Sequence, residues 1–76
     1  MIIINLAVKG FPPVIRETEF DGDALIESIL DELIYQQHDM LGRTPETALV
    51  QRDSGEIISV YDILISEDGT CQKVKR

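Results

Sequence analysis

The feature that most constrains the fold of this chain is an amphipathic stretch over residues 21–41. Its apolar side chains recur every three or four residues, which is the spacing of one buried face on an α-helix. They are Leu25, Ile26, Ile29, Leu30, Leu33, Ile34 and Leu41. The spacing predicts one long helix. The other segments are short and separated by Gly, Pro and Asp turns, so they offer strands for this helix to cover.

The predicted helix has recognisable start and stop signals. Asp21 is placed to be the N-cap residue, accepting hydrogen bonds from N–H groups that have no partner inside the helix. Phe20 and Leu25 then occupy the two positions of a hydrophobic staple. Gly42 predicts the end, because glycine adopts the left-handed backbone conformation at little steric cost.

The outward face of the predicted helix is acidic. Asp23, Glu27 and Asp31 follow one another at four-residue spacing, Glu32 lies beside them, and no Lys or Arg occurs between positions 16 and 43. Like charges at this spacing repel one another. Two interpretations stay open: the face either serves only to keep the chain in water, or it docks on a basic partner.

Length and charge narrow the possible functions. The chain has 76 residues, which predicts one small domain over residues 1–76. Its net charge is −7, and three of its seven basic residues, Lys73, Lys75 and Arg76, lie close together. Such an acidic body repels nucleic acid and anionic membranes, so we expect neither as a direct partner.

The compartment is inferred from cysteine content and hydropathy. Cys71 is alone, so it cannot form an internal disulfide, which fits a reducing environment. The apolar start of the chain lacks the basic region and cleavage site of a signal peptide. No run approaches the roughly 20 apolar residues that span a bilayer. We therefore expect a cytoplasmic protein.

The remaining segments predict a sheet. Alternating apolar residues indicate strands over 2–8, 14–19, 46–51 and 71–75, with the last at an edge. Segment 56–65 is apolar on both faces, and is either one long strand or a strand, a turn at 59–62 and a further extended piece. The expected fold is α+β: a single helix packed on one face of a four- to five-stranded, mainly antiparallel sheet in the order ββαββ(β).

One helix covers only one face of such a sheet. Several apolar strand residues cannot all point at it: Ile3, Ala7, Ile15, Ile58, Val60 and Leu64. Those left on the other face form an uncovered apolar patch, which in small proteins usually marks an interface. Phe11, in a Gly-Phe-Pro-Pro loop, is either a lid over one end of the core or an exposed contact at the loop tip.

The order of elements resembles the ubiquitin-like β-grasp family. The similarity is sharpest at residues 59–63, Ser-Val-Tyr-Asp-Ile, because that family has a Ser-x-Tyr-x-Ile stretch before its last strand. Members that are conjugated or carry sulfur end in Gly-Gly, whereas this sequence ends Lys-Val-Lys-Arg. The resemblance thus implies a non-covalent recognition module that uses its sheet face. The main structural competitor is a ββα unit followed by a three-stranded meander.

Groups able to carry out chemistry are few. His38 is the only histidine and Cys71 the only cysteine, which is too few for a zinc site, and nothing in the sequence supplies the third group of a nucleophilic triad. Asp62, inside an apolar run, is the one candidate for a carboxyl with a perturbed pKa, although a turn or capping role fits it better. We expect neither catalysis nor a cofactor.

The leading functional hypothesis is a small acidic, non-catalytic protein-interaction domain. By analogy of class, it would be an inhibitor or accessory protein of the phage or mobile-element type that acts on a basic partner surface. The partner-binding residues would be Asp23, Glu27, Asp31, Glu32 and Phe11. The alternatives are a homo-oligomeric structural or assembly module that self-associates through its apolar sheet face, and a ubiquitin-like subunit of a larger complex.

Overall fold

The computed structural model describes residues 1–19 and 21–76 and has the element order ββαβββ. The strands are β1 (Ile2–Val8), β2 (Val14–Thr18), β3 (Pro45–Arg52), β4 (Ile57–Ile65) and β5 (Cys71–Lys75). Helix α1 spans Asp23–Ile34 and continues into a π-helical segment, Tyr35–Met40. The predicted α+β class with one helical region is confirmed.

All five strands join one sheet in the order β2-β1-β3-β4-β5, and every neighbouring pair is antiparallel. Strand β1 has a neighbour on each side, and β5 lies at an edge as predicted. Residues 57–65 form one continuous strand, so the first of the two alternatives for this segment holds. Strands β3, β4 and β5 therefore make a meander.

The core lies between α1 and one face of the sheet. Side chains alternate along β1, and its even-numbered residues, from Ile2 to Val8, are buried. Helix α1 contributes Ile26, Leu30, Leu33 and Ile34, and the central strands contribute Ala48, Val50, Tyr61 and Ile63. The helical periodicity thus placed most of the buried stripe correctly, because an apolar residue every three or four positions falls on one side of a helix.

The start of α1 differs from the prediction. The N-cap residue is Gly22, in an extended conformation and without a side-chain cap bond, so the assignment of Asp21 as N-cap was wrong. The Asp21 carboxylate instead accepts a hydrogen bond of 2.9 Å from Arg52 Nη1. A charge-assisted bond of this kind is stronger than a neutral one. Of the predicted staple, Phe20 lies outside the described residues, and Leu25 is 38 % exposed.

The end of the helical region also differs. The Leu41 N–H donates to the Gln36 carbonyl, five residues earlier, at 3.2 Å, so the backbone makes a wider turn than an α-helix. This wider turn rotates the side chains that follow it, so the apolar residues no longer fall on the buried side of the helix. Leu41, predicted to be buried, is exposed, whereas the polar Gln37 is buried. Gly42 adopts the predicted left-handed conformation, with φ of 67°.

Candidate functional site

The acidic face of α1 is bridged to the sheet by one lysine. Lys73 on β5 places its Nζ 2.5 Å from Asp31 Oδ1 and 3.3 Å from Glu27 Oε2. The hydrogen bond to Asp31 raises the pKa of Lys73 against the opposing effect of partial burial. The Tyr61 hydroxyl donates to Glu27 at 3.3 Å. Two of the predicted partner-binding carboxylates are thus held together by a cation within the fold, which balances one of their two negative charges.

The other two helix carboxylates lie elsewhere. Glu32 is on the opposite flank of α1, where its Oε2 is 4.0 Å from Arg16 Nη1 on β2. Asp23 lies at the first position of the helix and, among the residues that the structure describes, has no ion-pair partner. The four carboxylates therefore differ in their ion-pair partners. They divide into a bridged pair, a loosely paired flank and a solvated helix start.

Phe11 is an exposed residue of the loop between β1 and β2. Its side chain is 48 % exposed, so it does not close the end of the core. The Arg43 guanidinium lies 4.0 Å from the centre of its ring, within cation–π distance. Arg43 Nη1 also donates to the side-chain oxygen of buried Gln37 at 3.2 Å. This stack joins the β1–β2 loop to the end of the helical region. Asp23 lies at the opposite end of that region, at the start of α1.

An open groove of about 360 Å³ lies between the end of the helical region and the β4–β5 turn. Its walls include Asp31, Asp39, Asp68 and Cys71. Burial raises the pKa of the Cys71 thiol, with the charge of Asp39 adding to the effect, so the thiol stays protonated at neutral pH. Over residues 1–19 and 21–76, His, Cys, Asp and Glu form no group of three or more that could hold a metal ion.

Asp62 lies in the middle of β4, so the predicted turn or capping role was wrong. Arg76 donates from Nη2 and Nε to the two carboxylate oxygens of Asp62, at 2.7 and 3.1 Å. These bonds hold the pKa of Asp62 below its ordinary value of 3.8. A general acid needs a raised pKa, so this carboxylate is suited to an ion pair.

The Asp62–Arg76 pair predicts a pH-dependent contribution to stability. Because the pKa of Asp62 is lower in the folded state, the pair stabilises the fold above pH 3.8, and this contribution is lost as the pH falls through the folded-state pKa. Asp62→Asn should therefore lower the thermal midpoint at pH 6, and its difference from wild type should shrink as the pH is lowered below 3.8. Asp53→Asn, in the β3–β4 turn, is the matched control. A difference from wild type that is as large at pH 2 as at pH 6 would contradict the assignment.

The second face of the sheet, here called the open face, points away from α1. Alternation and cross-strand register place the following side chains on it: Ile3, Asn5, Ala7, Ile15, Glu17, Thr47, Leu49, Gln51, Ile57, Val60, Asp62, Leu64, Gln72 and Val74. Ile58, which was predicted among the candidates for this face, lies at a bulge between β3 and β4 and packs against the core instead.

The open face carries a mainly apolar row across four strands. Ile15 lies opposite Asn5, Asn5 opposite Leu49, and Leu49 opposite Val60. Ile15 is 56 % exposed, although it is a large apolar side chain. Charge is scarce here, since only Glu17 and Asp62 are ionisable and Asp62 is paired. The expectation of an uncovered apolar patch on the sheet is thus met by a defined surface.

Sequence reasoning missed the parts played by Lys73 and Arg76. Both were noted only as basic residues that lie close to Lys75 in the sequence, whereas each forms ion pairs within the fold. The only sequence signal was their place on an alternating strand beside an acidic helix. Spacing along the chain could not reveal which flank of α1 this strand would adjoin.

No protein-family model matches the chain, and comparisons with curated proteins and with solved structures found no match. In the part of the chain that the structure describes, no helix has both the length and the apolar composition needed to cross a membrane.

Proposed function

We propose that this chain is a non-catalytic protein-interaction domain that binds a protein partner through the open face of its sheet. The observation that carries the proposal is that Ile15, Ile57 and Leu64 are exposed large apolar side chains on a face with little charge. Between them lie the half-buried Asn5, Leu49 and Val60. Apolar residues with few charges are characteristic of the centre of a protein interface. The partner surface should accordingly be flat and largely uncharged.

Two pKa shifts support a non-catalytic role. The pKa of Asp62 is lowered by its bonds to Arg76, and the pKa of Cys71 is raised by burial. A general acid and a thiolate nucleophile require shifts in the opposite directions. The ubiquitin-like resemblance stays a prediction, and the meander of β3, β4 and β5 corresponds to its structural competitor. We propose a cytoplasmic location, in keeping with the single free cysteine.

A second candidate is an inhibitor or accessory protein of the phage or mobile-element type that docks on a basic surface through its helix side. The groove walled by Asp31, Asp39 and Asp68 favours it, because it adds two carboxylates to those of α1 on that side. Such a contact would form rapidly and weaken with salt. It ranks second because Lys73 already offsets part of the negative charge of Glu27 and Asp31.

Site-specific photo-crosslinking in the native cell separates the two candidates. The photoreactive residue p-benzoylphenylalanine replaces Ile15 on the open face or Tyr35 on the helix side, two positions with the same exposure, 56 %. We expect protein adducts from position 15 and few or none from position 35. Adducts from position 35 alone would support the basic-partner candidate. Adducts from neither position would contradict both.

A further inference from the structure

We infer that the partner of the open face is a second copy of this chain, packed sheet to sheet around a two-fold axis. The inference rests on the proposed function, since it names the partner of the same surface. In such an arrangement both copies use the same residues, so the surface must be complementary to itself. Three properties decide whether the open face meets this condition: the distribution of charge over the domain, the side chains of the open face, and the area that two copies would bury.

Charge limits the surfaces that two copies can share. Each copy carries a net charge of −7. A contact between two helix sides would bring together Asp23, Asp31 and Glu32 of both copies, and like charges facing each other oppose association. The open face carries only Glu17 and the Asp62–Arg76 pair. It is the side of the domain on which the repulsion between two acidic chains is smallest.

Face-to-face packing also separates the acidic sides. Two packed sheets lie about 10 Å apart, and each helix adds a layer roughly 10 Å thick on the outside. The two helix sides are then about 30 Å apart. At physiological ionic strength charges are screened over about 8 Å. The surplus negative charge therefore opposes this dimer only weakly.

The chemistry of the open face matches itself. A partner must offer apolar side chains to cover Ile15, Leu49 and Val60, together with uncharged groups that hydrogen-bond to Asn5 and Gln51. A basic partner would not be attracted to the open face by its charge, because this face carries almost no negative charge. A second open face supplies both the apolar row and the amide side chains.

The area is sufficient for a weak dimer. Five strands spaced by about 4.8 Å and paired over about 20 Å give each copy a footprint of roughly 500 Å². Two copies then bury about 1,000 Å², which is near the lower limit for a specific interface. We expect reversible, concentration-dependent association, with a dissociation constant on the order of 10–100 μM.

Sedimentation equilibrium of the purified chain, between 1 μM and 1 mM, tests the inference. The average mass of wild type should rise from 8.6 kDa towards twice that value. Leu49→Arg, at the centre of the open face, buries an unpaired charge in the dimer and should raise the dissociation constant about 100-fold. Leu25→Arg introduces the same charge on the helix side and should associate as wild type does.

Ile15→Arg, on an exposed edge-strand position, replaces Leu49→Arg if circular dichroism shows that the latter has lost its fold.

Salt provides an independent criterion. Association through an almost uncharged face should be unchanged or strengthened between 0.05 and 0.5 M NaCl, because screening reduces the repulsion between acidic copies. A wild-type mass that stays at 8.6 kDa up to 1 mM would overturn the inference. Dimers that persist in Leu49→Arg, or in Ile15→Arg where it replaces that variant, would overturn it too, and so would dimers that dissociate with salt. If the purified chain is monomeric while position 15 still crosslinks to another protein in the cell, only the second copy is refuted. If the purified chain is monomeric and position 15 also gives no protein adducts in the cell, the proposed function is refuted as well.

Discussion

Leu30→Ala is expected to lower the free energy of unfolding by about 2–5 kcal/mol. Leu30 lies at the centre of α1, is fully buried, and belongs to the cluster that joins the helix to β1, β3 and β4. Removing its three terminal carbons loses apolar burial and leaves a cavity that a small, closely packed core cannot fill completely. A domain of this size has a total stability of about 4–11 kcal/mol. The variant should therefore be marginally folded or unfolded at 37 °C.

The control for this prediction is Leu25→Ala. It makes the same chemical change in the same helix, but at a side chain that is 38 % exposed, so we expect a loss of less than about 1 kcal/mol. Urea denaturation followed by circular dichroism measures both free energies. Equal losses in the two variants, or a loss below about 1 kcal/mol for Leu30→Ala, would mean that α1 does not seal the sheet as described.

The buried half of the fold was largely predictable because it follows from local periodicity. Ile26, Leu30 and Leu33 fall on one side of any α-helix, and alternation along β1 assigns Ile4 and Leu6 to one face of any strand. These rules need no knowledge of the neighbouring elements. They fail where the backbone changes its period, as it does in the π-helical segment Tyr35–Met40.

The open face was predictable in outline only. The sequence has more apolar strand residues than one helix can cover, which indicates an uncovered patch. Its composition depends on strand order and register, which pair Asn5 with Leu49 and Leu49 with Val60. The bulge beside Val50 turns Ile58 into the core. Such long-range pairings leave no periodic signal in the sequence.

The ion pairs of the helix side were not predictable for the same reason. Glu27 and Asp31 have no cation close to them along the chain. The cation comes from Lys73, which lies 42 positions after Asp31 in the sequence. The acidic face of α1, which the sequence suggested was unbalanced, is thus partly balanced by a cation from β5. This weakens the case for a docking site for a basic partner on that face.

The ion pairs of Lys73 with Glu27 and Asp31 are expected to contribute more to the free energy of unfolding than ion pairs on an edge strand usually do. Lys73→Glu should lower the free energy of unfolding by about 2–3 kcal/mol, because it removes two ion pairs and places a third carboxylate between Glu27 and Asp31. Exposed ion pairs contribute at most about 1 kcal/mol each. This one should exceed that value, since the Lys73 side chain is only 17 % exposed and its stem covers part of the helix–sheet boundary.

Lys75→Glu separates the bridge from a general effect of charge. It changes the net charge equally, two residues further along β5, at an exposed position with no ion-pair partner among the described residues. We expect it to cost less than about 0.5 kcal/mol by urea denaturation. The double variant Lys73→Glu with Asp31→Lys restores opposite charges and should recover part of the loss. Equal destabilisation by the two single variants would show instead that overall charge limits stability, and the helix side would then be an unbridged acidic surface open to a basic partner.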